Sequence, residues 1–196
     1  GAAVLLLAML VPFSFVVLQR ALAMQAALAI PFCAVKFDCG CGTGEVWMYH
    51  VSGGDGVLLV KRPSEAHQKE LGEPIFAPDG KSVWFTRNTT PGETFEYAQN
   101  SNKQVFAIER YDLESGKTES VIGGEGGAVR PTPSPDGKKI AYVRRERTQS
   151  KLYVRDLASG EDRKVFDALD QDVQETWAVT GVYPNMAWTP DSASVV

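Results

Sequence analysis

Residues 131–142 read Pro131-Thr132-Pro133-Ser134-Pro135-Asp136-Gly137-Lys138-Lys139-Ile140-Ala141-Tyr142, and the middle of that stretch decides the fold. Pro135 fixes φ for the first central position of a tight turn, Asp136 can accept a hydrogen bond from the backbone two residues on, and Gly137 adopts a positive φ without steric cost. The trio therefore reverses the chain between two strands. A single Pro-Asp-Gly is a common turn and says little. Here it recurs, in Pro74-Ile75-Phe76-Ala77-Pro78-Asp79-Gly80-Lys81-Ser82-Val83-Trp84-Phe85 and in Met186-Ala187-Trp188-Thr189-Pro190-Asp191-Ser192-Ala193-Ser194-Val195-Val196. The turn prolines 78, 135 and 190 lie 57 and 55 residues apart, and self-similarity at a near-constant period is the mark of an array.

A second element recurs between the turns. Phe106-Ala107-Ile108-Glu109-Arg110-Tyr111-Asp112-Leu113-Glu114-Ser115-Gly116 aligns with Leu152-Tyr153-Val154-Arg155-Asp156-Leu157-Ala158-Ser159-Gly160, and more loosely with Val46 to Gly54. Each is followed by a further short apolar run, so the unit has four strands. In the second full unit these are a strand before Pro135, Lys139 to Arg144, Lys151 to Asp156, and one near Phe166. A four-stranded sheet of this size cannot cover both of its own faces, and stacking successive sheets around an axis buries them. The expected fold class is all-β: a partial β-propeller of four-stranded antiparallel blades, about three in number, over residues 43–196. Three blades are fewer than close a ring, so the reading expects a part of a larger protein.

Unequal connections point to recognition, because loops beyond the minimum length are where a scaffold carries its contacts. Asn88 to Lys103 is long where the equivalent Glu146 to Ser150 is short. Within it Phe95, Glu96, Tyr97, Gln99, Asn100 and Asn102 offer aromatic and amide groups suited to adaptable contact. They form the candidate recognition loop, with packing of Phe95 and Tyr97 on a neighbouring blade as the alternative. Arg144, Arg145 and Arg147 form a basic cluster at a strand end that is either solvated or meets the acidic loop or a second domain. The acidic run Asp167, Asp170, Asp172 and Glu175 has Glu175 where a calcium loop begun at Asp170 needs glycine, and reads as a solvated loop.

Residues 1–42 have a different texture. From Gly1 to Val35 the one charge is Arg20. Three readings stand side by side: a signal or anchor segment, a pair of short apolar helices, or a stretch foreign to the fold that arises from a truncated or mis-framed gene. Membrane contact is expected only if residues 1–34 are an anchor. Cys33, Cys39 and Cys41 all fall here with His50 nearby, a spacing too irregular for a zinc site. Over the whole chain the net charge of -4 excludes the basic face that duplex nucleic acid requires.

Enzymatic motifs fail one by one. Ser115-Gly116-Lys117-Thr118 ends like a phosphate-binding loop, but Tyr111 stands where that motif needs glycine. No G-x-S-x-G occurs, so there is no serine-hydrolase elbow. His50 and His67 are the only histidines, too few for a di-metal hydrolase centre. The sequence therefore nominates no catalytic, cofactor-binding or metal residue and implies no cofactor.

The repeat Pro-x-Phe-Ser/Ala-Pro-Asp-Gly-Lys, followed by Leu-Tyr-Val-x-Asp-Leu-x-Ser-Gly-Glu, resembles the WD-like propeller repeat of the TolB family. Thr94-Phe95-Glu96-Tyr97-Ala98-Gln99, Gly127 to Pro135, and Gln174-Glu175-Thr176-Trp177-Ala178 with Tyr183-Pro184-Asn185 resemble the propeller region of large bacterial amidohydrolase-family proteins. The resemblance covers Thr43 to Val196. It implies a non-catalytic scaffold, docking or substrate-access module of a larger, exported protein, partnered by that protein's own metal-dependent hydrolase domain. It equally admits a stand-alone interaction propeller of the cell envelope with an envelope protein as partner. Either implies a periplasmic or secreted location, and neither implies nucleic acid. Before Thr43 such a protein carries another Pro-Asp-Gly strand pair, where this chain has its apolar segment.

Overall fold

A computed structural model of the chain describes residues 32–37, 44–64, 69, 71–94, 99–167, 169 and 186–196. Among these there is no helix. Eleven strands form three antiparallel meanders. The first sheet joins β1 (Phe32–Phe37), β2 (Gly44–Tyr49) and β3 (Val57–Val60). The second runs β4 (Leu71–Phe76), β5 (Ser82–Asn88), β6 (Phe106–Asp112) and β7 (Thr118–Ile122). The third runs β8 (Val129–Pro133), β9 (Lys139–Glu146), β10 (Gln149–Asp156) and β11 (Asp162–Phe166). A final hairpin, closed by the Trp188 to Val195 bridge, opens the next unit. The fold is all-β, with two complete blades and parts of two more. Strand β1 lies inside the 1–42 segment expected to stand apart, and pairs with β2 from Phe32 opposite Tyr49 to Phe37 opposite Gly44.

The two turn types explain why these strands meet. At each Pro-Asp-Gly position the residue before the proline closes a ladder across the reversal: Ala77 N–H to Ser82 O at 2.9 Å, Ser134 N–H to Lys139 O at 2.8 Å, Thr189 N–H to Ser194 O at 2.8 Å. The aspartate then accepts from the backbone two residues on, Asp79 from Lys81 at 3.0 Å, Asp136 from Lys138 at 3.1 Å and Asp191 from Ala193 at 3.1 Å. At the other turn Asp112 Oδ1 accepts from Ser115 N–H at 2.7 Å, and Asp156 Oδ1 from Ser159 N–H at 2.8 Å. Leu113 N–H donates to Lys81 O, and Leu157 N–H to Lys138 O, so both turn types of a blade lie together at one end of the sheet.

Burial follows from stacking. Strands exposed on one face alternate in burial, but Ser82 to Thr86 in β5 and Ile140 to Val143 in β9 are buried without a break, as befits a central strand covered on both faces. On β5, Val83 and Phe85 pack with Val46 and Val60 of the first sheet. Trp84 turns the other way, to Ile140 and Tyr142 of the third. On β9, Ala141 in turn meets Trp188 and Val195 of the final hairpin. Each buried Val, Ile or Phe side chain at these seams contributes about 1.5–3 kcal/mol, and each seam joins two successive sheets, which is how a propeller holds its blades together.

Candidate recognition face

Antiparallel alternation places the β5–β6, β7–β8 and β9–β10 connections at the end of the sheets opposite the paired turns. The repeat turn residues Pro78, Asp79, Gly80, Pro135, Asp136, Gly137, Pro190 and Asp191 therefore lie on the short-turn face. There Asp136 and Asp191 are fixed further by Ser134 Oγ and Thr189 Oγ1 at 2.6 and 2.5 Å, and these hydroxyls lead the interactions that hold both carboxyls below their usual range. Ala77 stands at that position in the first copy, where no hydroxyl is available. Ser192 replaces glycine in the third turn at φ 59. Its Oγ accepts from Asp136 N–H at 3.1 Å, so the odd residue of the repeat ties one turn to the preceding one.

The long connection after β5 is clamped at its neck. Thr89 N–H donates to Val105 O at 2.8 Å and Gln104 Nε2 to Thr89 Oγ1 at 3.1 Å. Asn88 Oδ1 accepts from Thr90 N–H at 3.1 Å and from Thr90 Oγ1 at 2.7 Å. Of the candidate recognition residues, Gln99 Nε2 reaches Thr90 Oγ1 at 3.4 Å, Asn100 Oδ1 accepts from Asn102 N–H at 3.0 Å, and Asn102 O accepts from Gly126 N–H at 2.9 Å. These three thus shape the loop itself. Phe95, Glu96 and Tyr97 lie outside the described residues.

Beside the neck, between the second and third sheets, a cleft of about 30 Å³ opens over Val105, Phe106, Val129 and Val143, with Lys103 and Arg145 at its rim. Gly126 lines it where two backbones approach closely: Arg145 N–H donates to Gly126 O at 3.1 Å. The basic cluster is divided by the fold. Arg144 stacks over Tyr142 and Tyr153, at 5.2 and 5.5 Å from the ring centroids, and donates to Gly123 O and Gly127 O. Its guanidinium holds the seam instead of facing solvent. Arg147 is exposed at the tip of the two-residue β9–β10 turn, with φ 57. Glycine takes that conformation without penalty, so Arg147→Gly should stabilise the chain by about 0.5–1 kcal/mol, read as a higher urea midpoint at unchanged slope.

Two features escaped sequence reading. The first is a buried ion pair between the innermost strands of successive blades. Arg130 Nε lies 2.8 Å from Glu73 Oε1, while Glu73 Oε2 accepts from Arg130 N–H at 2.7 Å and from Thr86 Oγ1 at 2.8 Å. The two residues occupy the same place in the repeat, each before a proline, each at a strand irregularity, each with positive φ (56 and 62). Desolvation outweighs the Arg130 charge and pushes the Glu73 carboxyl up to about 7. The second is Lys69, only 2% exposed, whose Nζ donates to Thr90 O at 2.7 Å, to Pro91 O at 2.6 Å and to Thr90 Oγ1.

On the acidic run, Asp167 is engaged by Lys151 at 2.7 Å and Lys164 at 3.0 Å, and their hydrogen bonds pull its carboxyl down to about 2. Asp170, Asp172 and Glu175 lie outside the described residues. His50 Nδ1 accepts from Ser52 N–H at 3.2 Å within its own turn. Among the described residues no three of His, Cys, Asp and Glu gather as a metal-binding group. What the face can offer chemically is shape, amides and a basic-rimmed apolar cleft.

No family model matches the chain. Dipeptidyl-peptidase 5 of Porphyromonas gingivalis is 29% identical over 147 residues, 70% of this chain and 19% of that protein. The Tol-Pal system protein TolB of Methylococcus capsulatus is 46% identical over 67 residues, 32% of this chain and 16% of that protein. The chain thus spans less than a fifth of the length of these curated relatives. Among solved structures, TolB from Acinetobacter baumannii superposes with a TM-score of 0.59 at 18% identity, over 88% of this chain and 38% of that one. The comparisons with TolB and the stacked four-stranded meanders agree: the chain has the fold of a TolB-like β-propeller segment.

Proposed function

We propose that this chain is the propeller module of a larger, exported hydrolytic protein, where it docks against the hydrolase domain and governs which substrates reach it. The observation that carries the reading is the match to a dipeptidyl-peptidase across 70% of this chain but 19% of the relative: the repeat accounts for one part of a much longer enzyme. The loop face, with its clamped connection and cleft, is the surface that meets the hydrolase domain or its substrate. The motifs around Thr94 to Gln99 and Gly127 to Pro135 favour a metal-dependent amidohydrolase as that domain.

Sequencing the locus in frame beyond codon 196 tests this. A metal-dependent hydrolase barrel is the expected result. A serine-hydrolase domain with G-x-S-x-G keeps the module role and removes the amidohydrolase parent. A frame with no hydrolase at all overturns the reading. It would leave the second one, an interaction propeller of the cell envelope, which the 46% identity to a Tol-Pal system protein specifically favours.

A further inference from the structure

We propose that Lys69 is the positioning residue of the recognition loop's neck: its ammonium, held in an oxygen cage there, sets the conformation of residues 88–94 and 99–105. The inference rests on the recognition role proposed above for that connection. Three observations carry it. Three loop oxygens, Thr90 O, Thr90 Oγ1 and Pro91 O, accept from the ammonium, 21 and 22 residues away in sequence, so Lys69 ties the strand entrance to the neck of the loop. Lys69 is buried, and lysine is almost never buried unless its charge is met. Thr90 is also the hub of the neck, since Asn88 Oδ1 and Gln99 Nε2 both bond its hydroxyl. Removing the ammonium therefore frees the carbonyls of Thr90 and Pro91 and loosens the residue to which Asn88 and Gln99 are bonded. Backbone carbonyls that turn inward must otherwise be satisfied by water or by a rearranged chain.

The test is amide hydrogen exchange, read by mass spectrometry on the full chain, for Lys69→Met and Lys69→Arg. Methionine keeps the apolar stem and removes the charge. Arginine keeps a donor cation. The expected result for K69M is exchange at least tenfold faster in peptides covering 88–94 and 99–105, with peptides of β9 and β10 unchanged. K69R should stay within threefold of the wild type throughout. Unchanged exchange at the neck in K69M would overturn the proposal. So would equal acceleration across all three sheets, which would make Lys69 a general core residue, and so would a K69R profile matching K69M, which would deny the charge its role. The assay reads the loop without any partner, so it can fail while the module reading stands. Conversely, a locus without a hydrolase domain leaves the exchange result untouched.

Discussion

Replacing Arg130 with methionine is expected to destabilise the chain by about 3–5 kcal/mol at pH 8, the usual cost of breaking a buried ion pair from one side. Glu73 is then left 4% exposed with two neutral donors, Thr86 Oγ1 and the backbone N–H of residue 130, to support a full charge. The loss should be smaller at pH 5, where the carboxyl takes up a proton and the uncompensated charge disappears. Glu73→Gln in the same background keeps an acceptor for both donors, and should recover about 2 kcal/mol at pH 8. Urea unfolding followed by tryptophan fluorescence reads the wild type and both variants. If R130M costs the same at both pH values, the penalty comes from lost packing alone. In the wild type the sign is set by the raised Glu73 value of about 7, above its ordinary 4.5. Between those limits the folded state holds the Glu73 proton more tightly than the unfolded one, so the contribution of this group to stability is fully present below pH 4.5 and is lost as pH rises through 7. The depressed Asp136, Asp167 and Asp191 carboxyls act in the opposite sense at the acid end.

The turns and strands were legible because their causes are local. Pro135, Asp136 and Gly137 impose one backbone path whatever surrounds them, and the β9 and β10 boundaries in the structure, Lys139–Glu146 and Gln149–Asp156, fall within a few residues of those the repeat implied. The seams were half legible. An unbroken apolar run such as Ile140 to Val143 signals a strand covered twice, but not which neighbour takes which side chain. Glu73 and Arg130 were illegible in role although a trace was present: each stands five residues before its turn proline and just before another proline. Reading that trace needs the knowledge that the strand bulges there and turns both side chains inward across a seam 57 residues wide. Lys69 left no trace, because a lysine among polar residues looks solvated until a distant loop folds over it. Arg144 misled for the opposite reason. Its charge sits in a run with Arg145 and Arg147, while strand alternation and Tyr142 and Tyr153 on one face take it out of that run.

Gly126→Ala should be the most damaging single-methyl addition on the recognition face, costing about 2–5 kcal/mol. A Cβ there would lie 1.9 Å from the carbonyl oxygen of Arg145, and the obstacle is backbone, which cannot swing aside as a side chain can. Relief requires moving Gly126 away from Arg145, against the bonds Arg145 N–H to Gly126 O and Gly126 N–H to Asn102 O that hold these three stretches of backbone together. Overpacking of this kind costs about 1–3 kcal/mol, and alanine at φ +75 adds about 1–2 more. Gly137→Ala supplies the control, since it has the same kind of φ, +70, with nothing within 4 Å of the added carbon. It should cost about 1–2 kcal/mol, the conformational part alone. The difference between the two variants in a thermal or urea melt isolates the close approach at the cleft. Equal losses would mean that the second and third sheets can part at this point with little resistance, and that the cleft over Val105 and Val143 is not held by its backbone. A much larger loss for Gly126, with the Asn102 to Gly126 contact broken, would show that the neck of the loop and the hairpin of the next blade form one mechanical unit. That coupling is what a face needs if it is to present a loop from one blade and a cleft from the next to the same partner.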